Sequence, residues 1–271
     1  MRMYTSFDNS KKFTYQTLGS SGSSWSDMPT KHFHFSHSWE CDRFDDLKDW
    51  SNAFNDLENW VNLNALVAIS SNFETYIATI VPLALESDVG VLFGVPRRID
   101  GIEIVKHGKE KPFNFEDIVE ACTKGTWQSR INSYERAFGR VPKYLLNRIS
   151  DLEKIRIVRN NVAHSFGRDI EASRQNGQLT TLPVGKLSRD HFLKLQSIVW
   201  KSAKAVDAHL YNFHIGEYQT LAFYHKLYPS LNHELHPSMR AMELKKEIGR
   251  YGDIPAGKEF CKGLVAYYEA L

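Results

Sequence analysis

The sequence predicts an all-α protein: a helical bundle over residues 44–211, a small N-terminal β-hairpin or arm over 1–43, and a C-terminal helical extension over 212–271. Three observations carry that prediction. Apolar side chains recur at spacings of three and four through most of the chain beyond residue 44. Gly, Pro and capping residues punctuate those stretches where helices should start and stop. The composition, 42% hydrophobic and 24% charged over 271 residues, is that of an ordinary globular chain, which excludes wholesale disorder and a fibrous repeat. At roughly 150 residues per domain, one large domain or two small ones are expected.

Taken in order, Lys12–Thr17 (KFTYQT) and His32–His37 (HFHFSH) alternate aromatic and polar residues, the period of a half-buried strand. The small-residue stretch LGSSGSSWSDMP lies between them, with no evident means of building structure. From Phe44 the spacing turns helical, with Leu47, Trp50, Phe54, Leu57 and Val61 on one face, and residues 64–85 continue as a mostly apolar helix. Residues 86–112 break the pattern with Pro96, an Asp100–Gly101 turn and a strand-like IEIV, an excursion or small hairpin. Asn114 can cap FEDIVEAC, and WQSRINSYERAF runs from Trp127 to a stop at Gly139. Next comes a helix over 145–164, with Leu145, Ile149, Leu152, Ile155 (and Arg156) and Val162 on its inner face. A polar excursion over 165–187 contains an Asn176–Gly177 turn. Ser188 then caps a helix whose stripe is Phe192, Leu195, Ile198, Val199, Ala203, Val206 and Leu210. Beyond Tyr211 the composition shifts to Tyr, His and Phe, with short helices expected around 216–228, 238–250 and 257–270.

Charge and cysteine usage narrow the setting. Thirty-four basic and 32 acidic residues give a formal net charge of +2, so any preference for a polyanion must be local. Cys41, Cys122 and Cys261 are distant and odd in number, suiting neither a disulfide framework nor a zinc site, and a reduced, cytoplasmic setting fits them. The N-terminus lacks the apolar core of a signal peptide. Asn72, Glu74 and Pro82 interrupt the apolar run over 66–85, so no membrane span is expected.

Much chemistry has no motif here: no Walker-type loop, no GxGxxG after a strand, no GxSxG elbow. His233 and His236 sit three apart, one short of the zinc-protease spacing, and lack a third ligand. His32, His34 and His37 would line one face of a strand, where an alternating edge explains them as well as a metal does. No cofactor and no metal are expected. Trp25, Trp50 and Trp60 fit the apolar stripes as core residues.

The informative stretch is KIRIVRNNVAHSFGRD, Lys154–Asp169, on a helix ending near Gly167. Asn160 and His164 are i,i+4 neighbours on one face, within hydrogen-bonding reach. Arg159 lies about 140° around the axis from His164, but its side chain is long enough to reach the same cleft. A helix C-terminus whose Arg and His offset the dipole explains the same residues without function.

Arg159-Asn160-x-x-x-His164, preceded by Ile155 and Val158, resembles the R-N-x-x-x-H signature of the HEPN-domain ribonucleases. LVAISSNFETYI over 66–77 resembles the first core helix of one branch of that family. RINSYERAFG over 130–139 resembles the segment before the signature, and residues 187–210 the closing helix. The resemblance covers residues 44–211. It implies a HEPN-like bundle and a metal-independent endoribonuclease, working as a homodimer with a composite cleft and often serving as a toxin or antiviral defence effector, with an antitoxin or regulator as a further partner. His164 would act as general base on the ribose 2′-hydroxyl or assist departure of the 5′-oxygen, a role imidazole can fill with an ordinary pKa of about 6.5. Arg159 would hold the scissile phosphate, and Asn160 would orient His164. The alternative is a non-catalytic HEPN-like module that binds a nucleotide, a nucleic acid or a protein partner.

Glu74 is an acid amid an apolar helix and needs a partner, because an unpaired buried carboxylate is costly. An ion pair with an Arg of the signature helix is one expectation, and a supporting role in positioning catalytic groups the other. Lys154, Arg156 and Arg168 are the candidate RNA-binding cations. They belong to a stretch, 127–170, with net charge +5, whereas 40–60 carries −5. Such asymmetry steers polyanions if the basic face is exposed, and has no such effect if the two stretches neutralise each other.

Overall fold

The computed structural model describes residues 2–108, 113–165, 185–251 and 256–271, with the backbone alone at 163–165. Among the described residues the protein is all-helical and contains no strand. Its two compact units each draw on two stretches of chain, Met1–Asn72 with Asp151–Val199, and Phe73–Ser150 with Trp200–Leu271. The sequence-based divisions near 43 and 211 follow chain order instead.

In the first unit, the expected N-terminal hairpin is replaced by helix α1, Arg2–Ser20. The alternation over 12–17 is a six-residue fragment of a longer helical stripe, Tyr4, Phe7, Lys11, Tyr15 and Leu18. Tyr4 packs on Phe192 with ring centroids 4.8 Å apart and donates to Asn62 Oδ1 at 2.9 Å. Phe7 faces Phe54, Lys11 pairs with Glu58, and the Tyr15 hydroxyl meets Ser51 Oγ at 2.8 Å. The small-residue stretch does build structure. Ser21 and Ser23 hydroxyls both donate to Leu18 O, closing the end of α1. Asp27 accepts from Ser24 N, Lys31 and His32, which together hold its carboxyl well below the usual range. His32 is thereby committed to Asp27, and His37 precedes a single helical turn, Ser38–Cys41, stacking on Trp39. The histidine strand therefore does not form.

Helix α2, Leu47–Ser87, runs unbroken for 41 residues through Pro82, joining the two segments that the sequence suggested. It is the one described helix long and apolar enough to cross a membrane by length and composition, a test that the core helix of a soluble protein also passes. Trp50 stacks near Phe33 and Phe54, but Trp25 and Trp60 are exposed and are not the core residues expected. Trp25 lies in the turn after α1, outside any helical stripe, and Trp60 falls on the solvent side of α2.

In the second unit, IEIV belongs to helix α3, Gly101–His107, and is not a strand. Asp100 caps it by accepting from Ile102 N at 3.0 Å, a local signal that outweighs the β-branched residues. Helix α4, Glu116–Thr123, and α5, Trp127–Phe138, follow as expected, with Asn114 Oδ1 accepting from Glu116 N and Gly139 closing α5 at φ 74°.

The helix expected over 145–164 is divided. Lys143–Leu146 makes one turn, and α6 starts anew at Ile149, running to Ser165. Of the expected inner face, Leu145, Leu152, Ile155 and Val162 are buried and Ile149 is partly so. Helix α7, Arg189–Leu210, begins where Ser188 Oγ accepts from His191 N at 3.3 Å. A π-helical turn, Tyr211–Ile215, prolongs it. Helices α8, Tyr218–Leu227, α9, Pro237–Tyr251, and α10, Lys258–Ala270, match the three expected at the C-terminus. They enclose a core of Tyr224, Leu244, Val265 and Tyr268 that also takes Ile102 of α3. Gly167 and the Asn176–Gly177 turn lie outside the described residues.

Candidate functional site

The first unit carries the signature helix. Arg159, Asn160 and His164 all lie on α6, whose buried Leu152, Ile155 and Val162 fix its orientation within that unit. The Arg159 guanidinium donates through Nη1 to Asn160 Oδ1 at 3.0 Å, and both side chains are half-buried. The Asn160 carbonyl oxygen is therefore engaged by its neighbour, and its amide NH2 is the group left to turn toward other acceptors. The helix backbone sets Asn160 and His164 one turn apart on a shared face. The His164 side chain lies outside the described residues, as does Arg168.

Two of the three RNA-binding candidates, Lys154 and Arg156, are described. Lys154 is exposed, whereas Arg156 is forked onto Glu153, with Nε and Nη2 donating at 2.6–3.2 Å. Part of the +5 stretch is neutralised in the same manner within the second unit, where Arg130 pairs with Glu74. On the acidic side, Glu58 pairs with Lys11, while Glu40, Asp46 and Asp49 accept backbone N–H groups near helix starts. Arg156–Glu153 lies wholly within the basic run, so the pairs identified with residues outside offset one charge in each, Arg130 in the basic and Glu58 in the acidic.

Glu74 Oε1 accepts from Arg130 Nη1 at 2.9 Å, so the partner identified for it is an arginine of α5. Arg130 is buried, donates from Nε to Gly125 O at 3.1 Å, and lies over the Trp127 ring at 5.0 Å. A guanidinium so enclosed orders the start of α5, and its carboxylate partner is structural in the first instance.

A second polar constellation, which the sequence did not disclose, surrounds the π-helical turn. His214 Nδ1 donates to Asp88 Oδ2 at 2.8 Å with both side chains buried. Asp88 Oδ1 accepts from Arg97 N at 2.6 Å. That bond holds Arg97 at φ 60°, the one positive φ among the described non-glycine residues. The Arg97 guanidinium then caps the helix end, donating to Phe213 O at 2.7 Å and Asn212 O at 2.6 Å. Nearby, the Tyr134 hydroxyl meets His209 Nδ1 at 2.7 Å. Burial, followed by the positive fields of His214 and Arg140, pushes the His209 imidazole down to about 4. With phenol and imidazole both neutral, either can donate across this bond according to the tautomer, and Nε2 is the ring's other nitrogen. That buried Nε2 has no hydrogen-bond partner among the described residues. The shift in composition after Tyr211 was the only hint of this cluster in the sequence, because its members come from five separate segments.

Among the described residues no group of three His, Cys, Asp or Glu side chains converges as metal ligands. His236 Nδ1 instead pairs with the Ser238 hydroxyl, and Pro237 starts α9. The three cysteines are free thiols and buried. The chain matches no protein-family model, and no curated protein or solved structure shows significant similarity to it.

Proposed function

We propose that this protein is a metal-independent endoribonuclease of HEPN type, its bundle formed by the helices of residues 44–211. The observation that carries the reading is the polar set on α6: a helix with a well-buried apolar face carries Arg159 locked to Asn160, with His164 one turn further on. Arginine offers a planar fork of donors that matches a phosphate. In this reading a second copy supplies the other half of the cleft, and the protein acts in the cytoplasm as a toxin or antiviral defence effector restrained by an antitoxin or other regulator.

The chemistry follows from the groups. The ribose 2′-hydroxyl attacks phosphorus as His164 takes its proton, the P–O5′ bond breaks, and the 5′-oxygen leaves with a proton returned to it. Products are a 2′,3′-cyclic phosphate and a 5′-hydroxyl. Arg159 balances charge that builds on the non-bridging oxygens, and Asn160 holds the Arg159 guanidinium in place. DNA, lacking the attacking hydroxyl, is inert.

The test is cleavage in EDTA of labelled RNA and a matched all-deoxy strand, with wild type beside His164→Ala and Arg159→Ala, each checked for folding and oligomeric state. Cutting of RNA alone, with a cyclic phosphate end and loss in both variants, supports the proposal. Folded wild type that cuts none of a varied RNA set favours a binding module. Cutting that survives both substitutions puts the site elsewhere.

A further inference from the structure

We propose that the surface around the π-helical turn, centred on Phe213, Arg97 and Arg140, is a docking site for single-stranded RNA. It is carried by the second unit and is separate from the signature on α6. Phe213 is exposed, and two guanidinium groups lie over its ring, Arg140 at 4.7 Å and Arg97 at 5.4 Å from the centroid. Two cations gathered on one aromatic ring repel each other, and an arginine at such a place is ordinarily neutralised by a carboxylate. Arg140 is exposed and has no ion pair or hydrogen bond among the described residues, so its guanidinium is open to a ligand.

Among the described residues, none of the nearby acids forms an ion pair with Arg140. Asp88 is buried and shared between His214 and the Arg97 backbone. Asp100 caps α3 and accepts from Tyr267, and Glu217 accepts from the Tyr211 hydroxyl at 3.0 Å. Beside the ring lies a cleft of about 290 Å³, lined in part by Arg97, Tyr211, Phe213 and His214 and also by the carboxylates Asp88 and Asp100. An exposed aromatic layer with unneutralised guanidinium groups matches a partner having flat rings and regularly spaced anions, which is an unpaired nucleic-acid strand. A base stacks on the Phe213–guanidinium layer and the adjoining phosphate pairs with Arg140. The Arg97 backbone, held by Asp88, keeps the platform in place before the strand arrives. Only the choice of RNA over DNA rests on the ribonuclease reading.

Binding is measured by fluorescence anisotropy with a labelled 2′-O-methyl RNA of about 12 nucleotides, within the usual footprint of such sites. This strand lacks the attacking hydroxyl, so binding is read apart from cleavage. Phe213→Leu is expected to weaken binding about tenfold. Arg140→Gln, at an exposed side chain with no hydrogen bond to lose, is expected to weaken it and to lower the salt slope by about 0.7. Lys246→Gln, a surface change on α9, leaves binding unchanged. Binding unaffected by Phe213→Leu and Arg140→Gln overturns the proposal, as does failure of folded wild type to bind the strand. Equal affinity for duplex RNA removes the stacking argument, and equal affinity for poly-glutamate reassigns the surface to an acidic protein. A protein that binds through these residues but never cuts RNA retains this inference and loses the nuclease one.

Discussion

Replacing Glu74 separates its two expected roles. The Arg130 side chain that it faces is 6% exposed, and Glu74 itself 20%, so Glu74→Ala leaves a guanidinium enclosed beside Trp127 without this carboxylate. Removing one partner of a buried ion pair costs about 3–5 kcal/mol. The residual exposure of Glu74 admits some water and sets the expectation at the lower end, about 3 kcal/mol. For a chain of this size each kcal/mol moves Tm by about 2–4 °C, so a drop of about 6–12 °C is expected. Urea unfolding followed by circular dichroism gives the free energy, with an unchanged m-value showing that the comparison is of like states. Glu74→Leu with Arg130→Met should recover most of the loss, since an apolar pair of similar volume removes the charge that made the single change costly. A Glu74→Ala protein within about 0.5 kcal/mol of wild type, yet without ribonuclease activity, would refute the structural assignment and return Glu74 to the positioning of catalytic groups.

His209 should make stability depend on pH: its folded pKa of about 4 lies below the ordinary 6.5, so its contribution is complete above pH 6.5 and is lost as pH falls toward 4. The slope in that window, at most about 1.4 kcal/mol per pH unit, should flatten in His209→Gln when melts are compared across it. Gly101→Ala should destabilise by about 2 kcal/mol or more by urea titration, because the new Cβ would meet the Glu86 carbonyl oxygen at 1.8 Å; a smaller effect means that the start of α3 moves freely. Asn160→Ala releases the Arg159 guanidinium and should cut RNA cleavage about tenfold or more while leaving the melt within about 1 kcal/mol; unchanged cleavage would remove Asn160 from the machinery.

Helical periodicity was legible wherever it ran long enough to be sampled several times over. Helices α5 and α7 appear where spacing and caps predicted, because Gly139 and Ser188 mark their ends through local backbone chemistry, and the three C-terminal helices fall in the ranges expected. The failures share a cause. KFTYQT and IEIV are windows of four to six residues, in which a 3.6-residue period and an alternating one coincide. Each was settled by information outside the window: Tyr4 and Leu18 for the first, the Asp100 cap for the second. The signature helix was legible as a sequence pattern, since Arg159, Asn160 and His164 are neighbours along the chain. The cluster around Phe213 was not. Its polar groups belong to residues 88, 97, 140 and 214, and only folding brings them to one place.

Helix α2 passes from one unit to the other at Asn72–Phe73, and α7 does so at Val199–Trp200. Such threading governs how the protein can be made and taken apart. A ribosome that has delivered 150 residues has delivered neither unit whole, for the first still awaits Asp151–Val199 and the second the stretch from Trp200. Early chain must therefore wait, with the apolar faces of α1 and α2 unfilled, for partners encoded more than a hundred residues later. No single cut frees an intact unit, because each is built from two stretches of chain.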